Sequence, residues 1–413
     1  MLYVSQFKGT AKYYVDMSLD LVFFSLIGLV TVSFLLLTYR VDRKLSAVKF
    51  SKPKNPPKVS VIIPAHNAEK FIEKTLKSAI ASSYKNMEII VVNDCSDDGT
   101  VNILNRFKNI KILTNKKRLG KASSLNKATT GSLGNLVLFL DADTIIEKDT
   151  IEKLVSSYIH YNKAEGKIGF IAPKYRLINR TKPIAKLAYL EQSIHQFLIK
   201  IQMNLGSILS IRGCCMLMNK EAFFEANGFS NHLLEDGDFA AKVVKAGYKI
   251  KYEPRASVDT DEPENLRDLF RTRKRYGKGG LFCVLSHTKH FLFSKQAALS
   301  FYPYVLVGLA FLIFSVLENN LIFPMTIFSF GTIIKASIIL SKLGLLGMAA
   351  TTGMFIGGAV ITKGSVKKIE MVALFLPYIL LYIPFTTIGY LNGAINGISD
   401  KIKQRKELKL KDW

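Results

Sequence analysis

The sequence predicts an α/β domain carried between membrane-spanning helices. Between Val59 and about Gly280, short β-branched apolar runs alternate with helical stretches. Polar residues of chemical interest fall directly after those runs. On either side lie apolar segments long enough to cross a bilayer as helices. Short, continuously apolar strands spaced by helices imply a parallel sheet covered on both faces. Ligands of such sheets sit at the carboxyl ends of the strands.

The composition agrees with this division. Across 413 residues, hydrophobic side chains make up 49%, and 57 Lys and Arg outweigh 32 Asp and Glu to give a net charge of +25. The mean hydropathy is +0.19. A chain both apolar and basic fits membrane segments flanked by Lys and Arg, or the handling of anionic partners at a charged surface. Nucleic acid is not the expected partner, because the charge is spread along the chain, concentrates beside apolar segments and accompanies no nucleic-acid-binding motif. Cys95, Cys214, Cys215 and Cys283 show neither a CxxC pair nor regular spacing. They read as small reduced side chains, not as a zinc site or a disulfide framework.

Taken in order, residues 1–18 precede the first apolar run, Leu19 to Thr38, which predicts a retained membrane anchor. The linker 39–57 carries Arg40, Arg43, Lys44, Lys49, Lys52 and Lys54, and its basic flank places the following domain in the cytoplasm. Pro53, Pro56 and Pro57 stiffen the entry. Candidate strands are Val59–Ile63, Glu88–Val92, Ile110–Leu113 and Leu136–Leu140. Pro183 to Ile211 has helical apolar spacing interrupted by Lys, Glu, Gln and His, which fits an interfacial helix and equally a helix packed on the sheet. After a juxtamembrane stretch at 281–296, spans are expected over 297–317, 321–340, 343–362 and 369–391. The Gly-, Ala- and Thr-rich segment 343–362 also fits a tight helix contact or a re-entrant piece. An even number of spans returns the basic tail, 392–413, to the cytosol. The same count puts Lys363, Lys367 and Lys368 outside, against the charge rule.

The chemistry gathers after the strands. Pro64 and Asn67 follow the first, and Asn93 to Thr100 follow the second. Asp97 or Asp98 is expected to cap the next helix, since short polar side chains bond nearby amides. Asp94, one step earlier, could accept hydrogen bonds from a base or ribose. The fourth strand's extended end is expected to project Asp141 and Asp143 to the same side, and their like charges call for a cation such as Mg²⁺ or Mn²⁺ that takes oxygen ligands and shares its remaining positions with a diphosphate. Glu235 and Asp236 precede an amphipathic helix and are placed to meet a substrate, while Asp238 suits a structural role at the helix N-terminus. In RTRKRYGKGG, Arg271, Arg273, Lys274, Arg275 and Lys278 surround Tyr276. They form either a lipid-facing basic patch or Arg forks for a leaving diphosphate.

The segments VSVIIPAHN, VVNDCSDDGT, RLGKASSLNKA, LFLDADT, the Gly213-centred GCCMLM, LLEDGDFAAKVVKAGYKI and RTRKRYG occur in that order. Together, over about residues 58–280, they resemble the family 2 glycosyltransferases, inverting enzymes with a GT-A, Rossmann-like nucleotide-diphospho-sugar transferase fold. The flanking helices resemble the membrane-bound branch that makes polysaccharides or extends lipid-linked glycans. The resemblance implies a nucleotide-sugar donor, UDP- or GDP-linked, and a polyprenyl-phosphate-linked or polysaccharide acceptor beside membrane lipid. It assigns Asp94 to the nucleoside and Lys121 to the nucleotide, and Asp141 and Asp143 to a divalent cation, with Asp143 the direct ligand. Asp236 matches the catalytic base, Arg275 the arginine near the diphosphate. Glu235 joins the catalytic group, and Pro64, Asn67, Gly213 and Tyr276 join the substrate contacts. One departure stands out. Processive synthases carry Gln-x-x-Arg-Trp, where this chain has Thr272, Arg275 and Tyr276.

A processive synthase is therefore the alternative within the class. A transporter with a regulatory domain would need paired acids and bases inside its spans, where only Lys335 is clearly ionisable. A scaffold without activity would have no use for Asp141, Asp143 and Asp236 as uncompensated carboxylates.

Overall fold

In the computed structural model, residues 53, 55–179, 181–203, 208, 211–295, 374 and 377–411 are described. Eight strands form one sheet in the order β3-β2-β1-β4-β7-β6-β8-β5. They are β1 (Val59–Ala65), β2 (Met87–Asn93), β3 (Lys111–Thr114), β4 (Leu136–Leu140), β5 (Ile145–Ile146), β6 (Ile168–Leu177), β7 (Cys215–Asn219) and β8 (Lys249–Thr260). The helices of the domain are α1 (Ile72–Ile80), α2 (Thr100–Leu104), α3 (Lys121–Thr130), α4 (Thr150–Glu165), α5 (Pro183–Met203), α6 (Lys220–Glu225), α7 (Glu235–Lys245), α8 (Leu266–Ser286) and α9 (Thr288–Phe293). A π-turn at Tyr378–Tyr382 leads into a last helix, α10 (Ile383–Lys411).

The four expected strands are present, and β1 pairs in parallel with β2 and β4, as β2 does with β3. Their run of buried side chains accounts for this, since Val59, Val61, Ile62, Val91, Val92 and Val137 to Leu140 are almost wholly buried. Beyond those four strands the sheet is mixed. β7 runs antiparallel to both β4 and β6, and β5 is antiparallel to β8. The antiparallel β7 brings Cys214 alongside Asp141, whose amide donates to the Cys214 carbonyl at 2.9 Å. It thereby carries Gly213 to the edge where β1, β2 and β4 end.

Helix α1 buries Ile72, Thr75, Leu76 and Ala79, a stripe at helical spacing. Helix α7 sets Glu235, Asp236 and Asp238 in its first turn and Lys242 and Lys245 in its last, in accord with the helix dipole. Under the sheet, Phe139, Phe223, Phe229 and Phe239 pack with ring centroids 4.3–5.8 Å apart. Two prolines of the linker are docked, Pro56 accepting from Asn86 at 2.8 Å and Pro57 accepting from the Tyr84 hydroxyl. All four cysteines are free, Cys95 exposed and the other three buried.

Helix α5 packs on β6, β8 and α8. The polar residues that interrupt its apolar pattern have protein partners: Gln196 donates to the Tyr175 carbonyl and accepts from Tyr252, and His195 meets the Tyr175 hydroxyl. The expected spans 19–38, 297–317, 321–340 and 343–362 lie outside the described residues. Among the described residues, no helix is long and apolar enough to cross a membrane. Of 369–391, residue 374 and residues 377–391 are described. Their helix does not stop at 391 but continues to Lys411, so the boundary expected between a span and a separate tail falls inside one element. Small residues let this helix pack closely, since Gly389, Gly393 and Gly397 lie against α8.

Candidate active site

A cavity of about 600 Å³ opens at the carboxyl ends of β1, β2 and β4. Every candidate site residue lines it: Pro64, Asn67, Asp94, Lys121, Asp141, Asp143, Gly213, Glu235, Asp236, Arg275 and Tyr276. They come from strand ends, from the start of α3, from the first turn of α7 and from the middle of α8.

Asp94 has a structural task. Its carboxylate accepts from the Leu119 amide at 2.8 Å, the Gly120 amide at 2.7 Å and the Asn115 side chain at 2.8 Å. Burial alone would raise its pKa, but these donors more than offset it and hold the carboxyl below its ordinary value. Asp94 therefore shapes the turn that launches α3, in which Gly120 takes φ +87°, a conformation that favours glycine. On the adjacent loop, Asn67 accepts from the Asp97 amide at 3.0 Å, and Asp98, just before the N-cap Gly99, accepts from the Thr100 amide that opens α2.

The acid pair departs from expectation in two ways. Strand β4 ends at Leu140, so Asp141 and Asp143 sit in a turn, closed by the Thr144 amide donating to the Asp141 carbonyl at 3.1 Å. Strand alternation therefore does not set their directions. Asp141 is also not uncompensated: the Lys121 ammonium lies 2.8 Å from Asp141 and 2.9 Å from Glu235. Burial opposes the Lys121 charge, yet the two carboxylates outweigh it and hold its pKa above the ordinary lysine value. Burial and the neighbouring Asp143 still keep the Asp141 carboxyl raised despite Lys121. Among the described residues, no three His, Cys, Asp or Glu side chains converge as a closed metal cage. Two hard carboxylates, one of them the exposed Asp143, fit a cation that takes its remaining oxygens from a diphosphate.

Asp236 is oriented by two backbone donors, Gly213 at 2.9 Å and Gly237 at 2.8 Å. A Cβ on Gly213 would stand 2.7 Å from that of Asp236, so only glycine lets the carboxylate approach this closely. Burial and the adjacent Glu235 raise the Asp236 pKa, with Lys121 and the two amides opposing. A recessed carboxylate poised above its ordinary range is suited to accept a proton.

The basic run on α8 splits by task. Only Arg275 reaches the cavity, with Tyr276 beside it. Arg271 pairs with Asp268, Lys278 with Asp400, and Arg273 is buried against Glu191. Neither the lipid patch nor the group of Arg forks describes the whole run. Asp238 takes its structural place, accepting from Ser230 and meeting Lys242 and His287.

Residues not singled out as site candidates also line the cavity, notably His66, Arg118 and Arg212. Arg212 pairs with Glu262 and lies 5.6 Å from the Tyr175 ring centroid. Its position directly before Gly213 in IRGCC was the one available signal.

A cavity with acids at the strand ends and a helical carboxylate from α7 is the arrangement of a GT-A-like α/β fold. Residues 60–225 match the family model described as Glycosyl transferase family 2. The chain is 31% identical over 288 residues to the probable glycosyltransferase YdaM of Bacillus subtilis, covering 67% of this chain and 68% of that protein. This protein belongs to glycosyl transferase family 2. It is 28% identical over 227 residues to the poly-beta-1,6-N-acetyl-D-glucosamine synthase of Staphylococcus aureus (strain COL), spanning about half (54%) of each chain. The mannosyltransferase PcManGT from Pyrobaculum calidifontis, solved with GDP-Man and Mn²⁺, superposes with a TM-score of 0.55 at 19% identity, covering 81% of this chain and 96% of that one. At that identity the likeness is one of fold.

Proposed function

We propose that this glycosyltransferase moves a sugar from a nucleoside-diphosphate donor to a glycan or lipid-linked acceptor at a membrane, with inversion at the anomeric carbon. The convergence of all the candidate residues on one cavity carries this reading. Asp236 accepts the proton of the acceptor hydroxyl as that oxygen attacks. Arg275 offers positive charge to the departing diphosphate, and a single displacement needs no covalent sugar–enzyme intermediate. Asp143, with Asp141, would hold Mg²⁺ or Mn²⁺, which when bound neutralises charge on the leaving group. Lys121 keeps Asp141 and Glu235 in place and limits their mutual repulsion. The apolar segments at 19–38 and beyond 297 would keep the acceptor at the cavity mouth, with the domain on the cytosolic side.

Screening UDP- and GDP-sugars for metal-stimulated release of nucleoside diphosphate tests the reading. Turnover should stop in chelator, and Asp143→Ala should lower it more than Asp141→Ala, since Asp141 has Lys121 as a standing partner. Full activity in chelator would remove the cation from the account, and equal losses would remove the ranking.

A further inference from the structure

We infer that the C-terminal helix is a working part of this active site, through a latch of Glu191 and the buried Arg273 that positions Arg275 and Tyr276. The inference rests on the proposed reading of the cavity as a nucleotide site. Three elements meet at the latch. Arg273 of α8 is fully buried, and its Nη2 donates to Glu191 of α5 at 2.5 Å and to the Tyr382 hydroxyl at 2.6 Å. Glu191 in turn accepts from Tyr382 at 2.7 Å and from Tyr390 of α10 at 2.9 Å. One carboxylate thus collects a guanidinium and two phenols from segments far apart in the chain.

The cavity side of the latch is equally direct. The guanidinium carbon of Arg273 lies 5.5 Å from the ring centroid of Tyr276, and that of Arg275 lies at the same distance. Tyr276 and Arg275 both line the cavity. The remaining nitrogens of Arg273, Nε and Nη1, have no hydrogen-bond partner among the described residues. The compensation of this buried charge therefore depends heavily on Glu191, and losing that carboxylate would leave the guanidinium exposed to the full cost of burial.

A second, independent contact lies on the same helical turn. A Cβ on Gly277 would fall 2.1 Å from the Tyr390 carbonyl oxygen, and one on Gly393 would fall 2.0 Å from the Lys274 carbonyl oxygen. The backbones of α8 and α10 touch where α8 presents Arg275 and Tyr276. A shift of α10 is therefore transmitted to the turn that bears the cavity's arginine, and Arg273 and Glu191 act as positioning residues.

The test uses the full-length chain reconstituted in lipid nanodiscs, with UDP and GDP as probes. Amide hydrogen exchange is followed along both helices, and nucleotide affinity is measured by calorimetry. Glu191→Gln should speed exchange over 383–397 and weaken binding of the preferred nucleotide about tenfold, the scale of coupling between linked sites. Exchange in β1, β2 and β4 should stay at the wild-type rate. Glu191→Asp, which keeps the charge, should recover part of the loss. Gly393→Ala should act in the same direction without touching any charge, which guards against a Glu191→Gln protein that fails to fold. Faster exchange in α10 with unchanged nucleotide affinity would reduce the latch to a clasp, and unchanged exchange would remove it. Failure of the cavity reading shows separately, as wild-type protein that binds neither nucleotide. The latch is then judged on exchange at 273–277, where wild-type rates in both variants would overturn it.

Discussion

The centre of the site is a ladder of charge in which each member sets the next. Lys121 holds Asp141 and Glu235, Glu235 raises its neighbour Asp236, and the Gly213 amide aims Asp236. A protonated Asp236 cannot take a proton from an acceptor, so kcat/KM should fall as pH drops through its pKa. Burial and Glu235 place that pKa above the ordinary 3.8, so the acid limb should lie above that value. Glu235→Gln removes the like charge, and the acid limb should move to lower pH. A limb that stays in place or moves upward in a pH–rate profile contradicts the coupling. Asp141 was legible in the sequence because it follows an apolar strand, and Glu235 and Asp236 because they open an amphipathic helix. Their compensation was not, since Lys121 and Asp141 are brought together only by folding, and Arg212 paired with Glu262 has the same character.

At the scale of elements, legibility followed the continuity of the apolar pattern, not burial. Strands β1, β2 and β4 read directly because they are continuous apolar runs. Strands β6 and β8 did not, because Lys174, Arg176, Lys251, Glu253 and Arg255 interrupt them. Two of those charges pair with distant residues, Arg176 with Asp259 and Lys251 with Glu165, and such pairs leave no mark in local pattern; Glu253 and Arg255 pair with each other. Hidden with β7 was its antiparallel direction, which seats Gly213 against Asp236. Gly213→Ala should therefore act beyond its size. The added methyl would stand 2.7 Å from the Asp236 Cβ, forcing the carboxylate aside. Overpacking of this kind costs about 1–3 kcal/mol. We expect a lower melting temperature together with loss of transfer, while donor binding persists. A variant that melts lower yet keeps wild-type turnover would show that Asp236 need not be held so closely.

For the whole molecule, the question is how far the product grows. Tyr276 replaces the broad indole of the processive pattern, and its ring already has two guanidinium groups at 5.5 Å. An aromatic face engaged by cations is less free to stack on an acceptor sugar. Thr272 is too short to act where an amide side chain would. We expect products extended by one sugar or a few, even with donor in excess. A ladder reaching long chains on sizing gels would instead make this protein a synthase with an altered motif. The helix that continues from Ile383 to Lys411 bears on the same question, because it joins any membrane segment before it to the turn holding Arg275.

The account turns on Asp236 as the base, and one measurement addresses it most directly. Asp236→Asn keeps the side chain's shape and removes its proton acceptor. Transfer by this variant should fall by about 10²–10⁴-fold, the contribution expected of general base catalysis. Its affinity for the donor, measured on the same preparation, should stay near that of the wild type. Turnover within a few-fold of wild type would contradict the account.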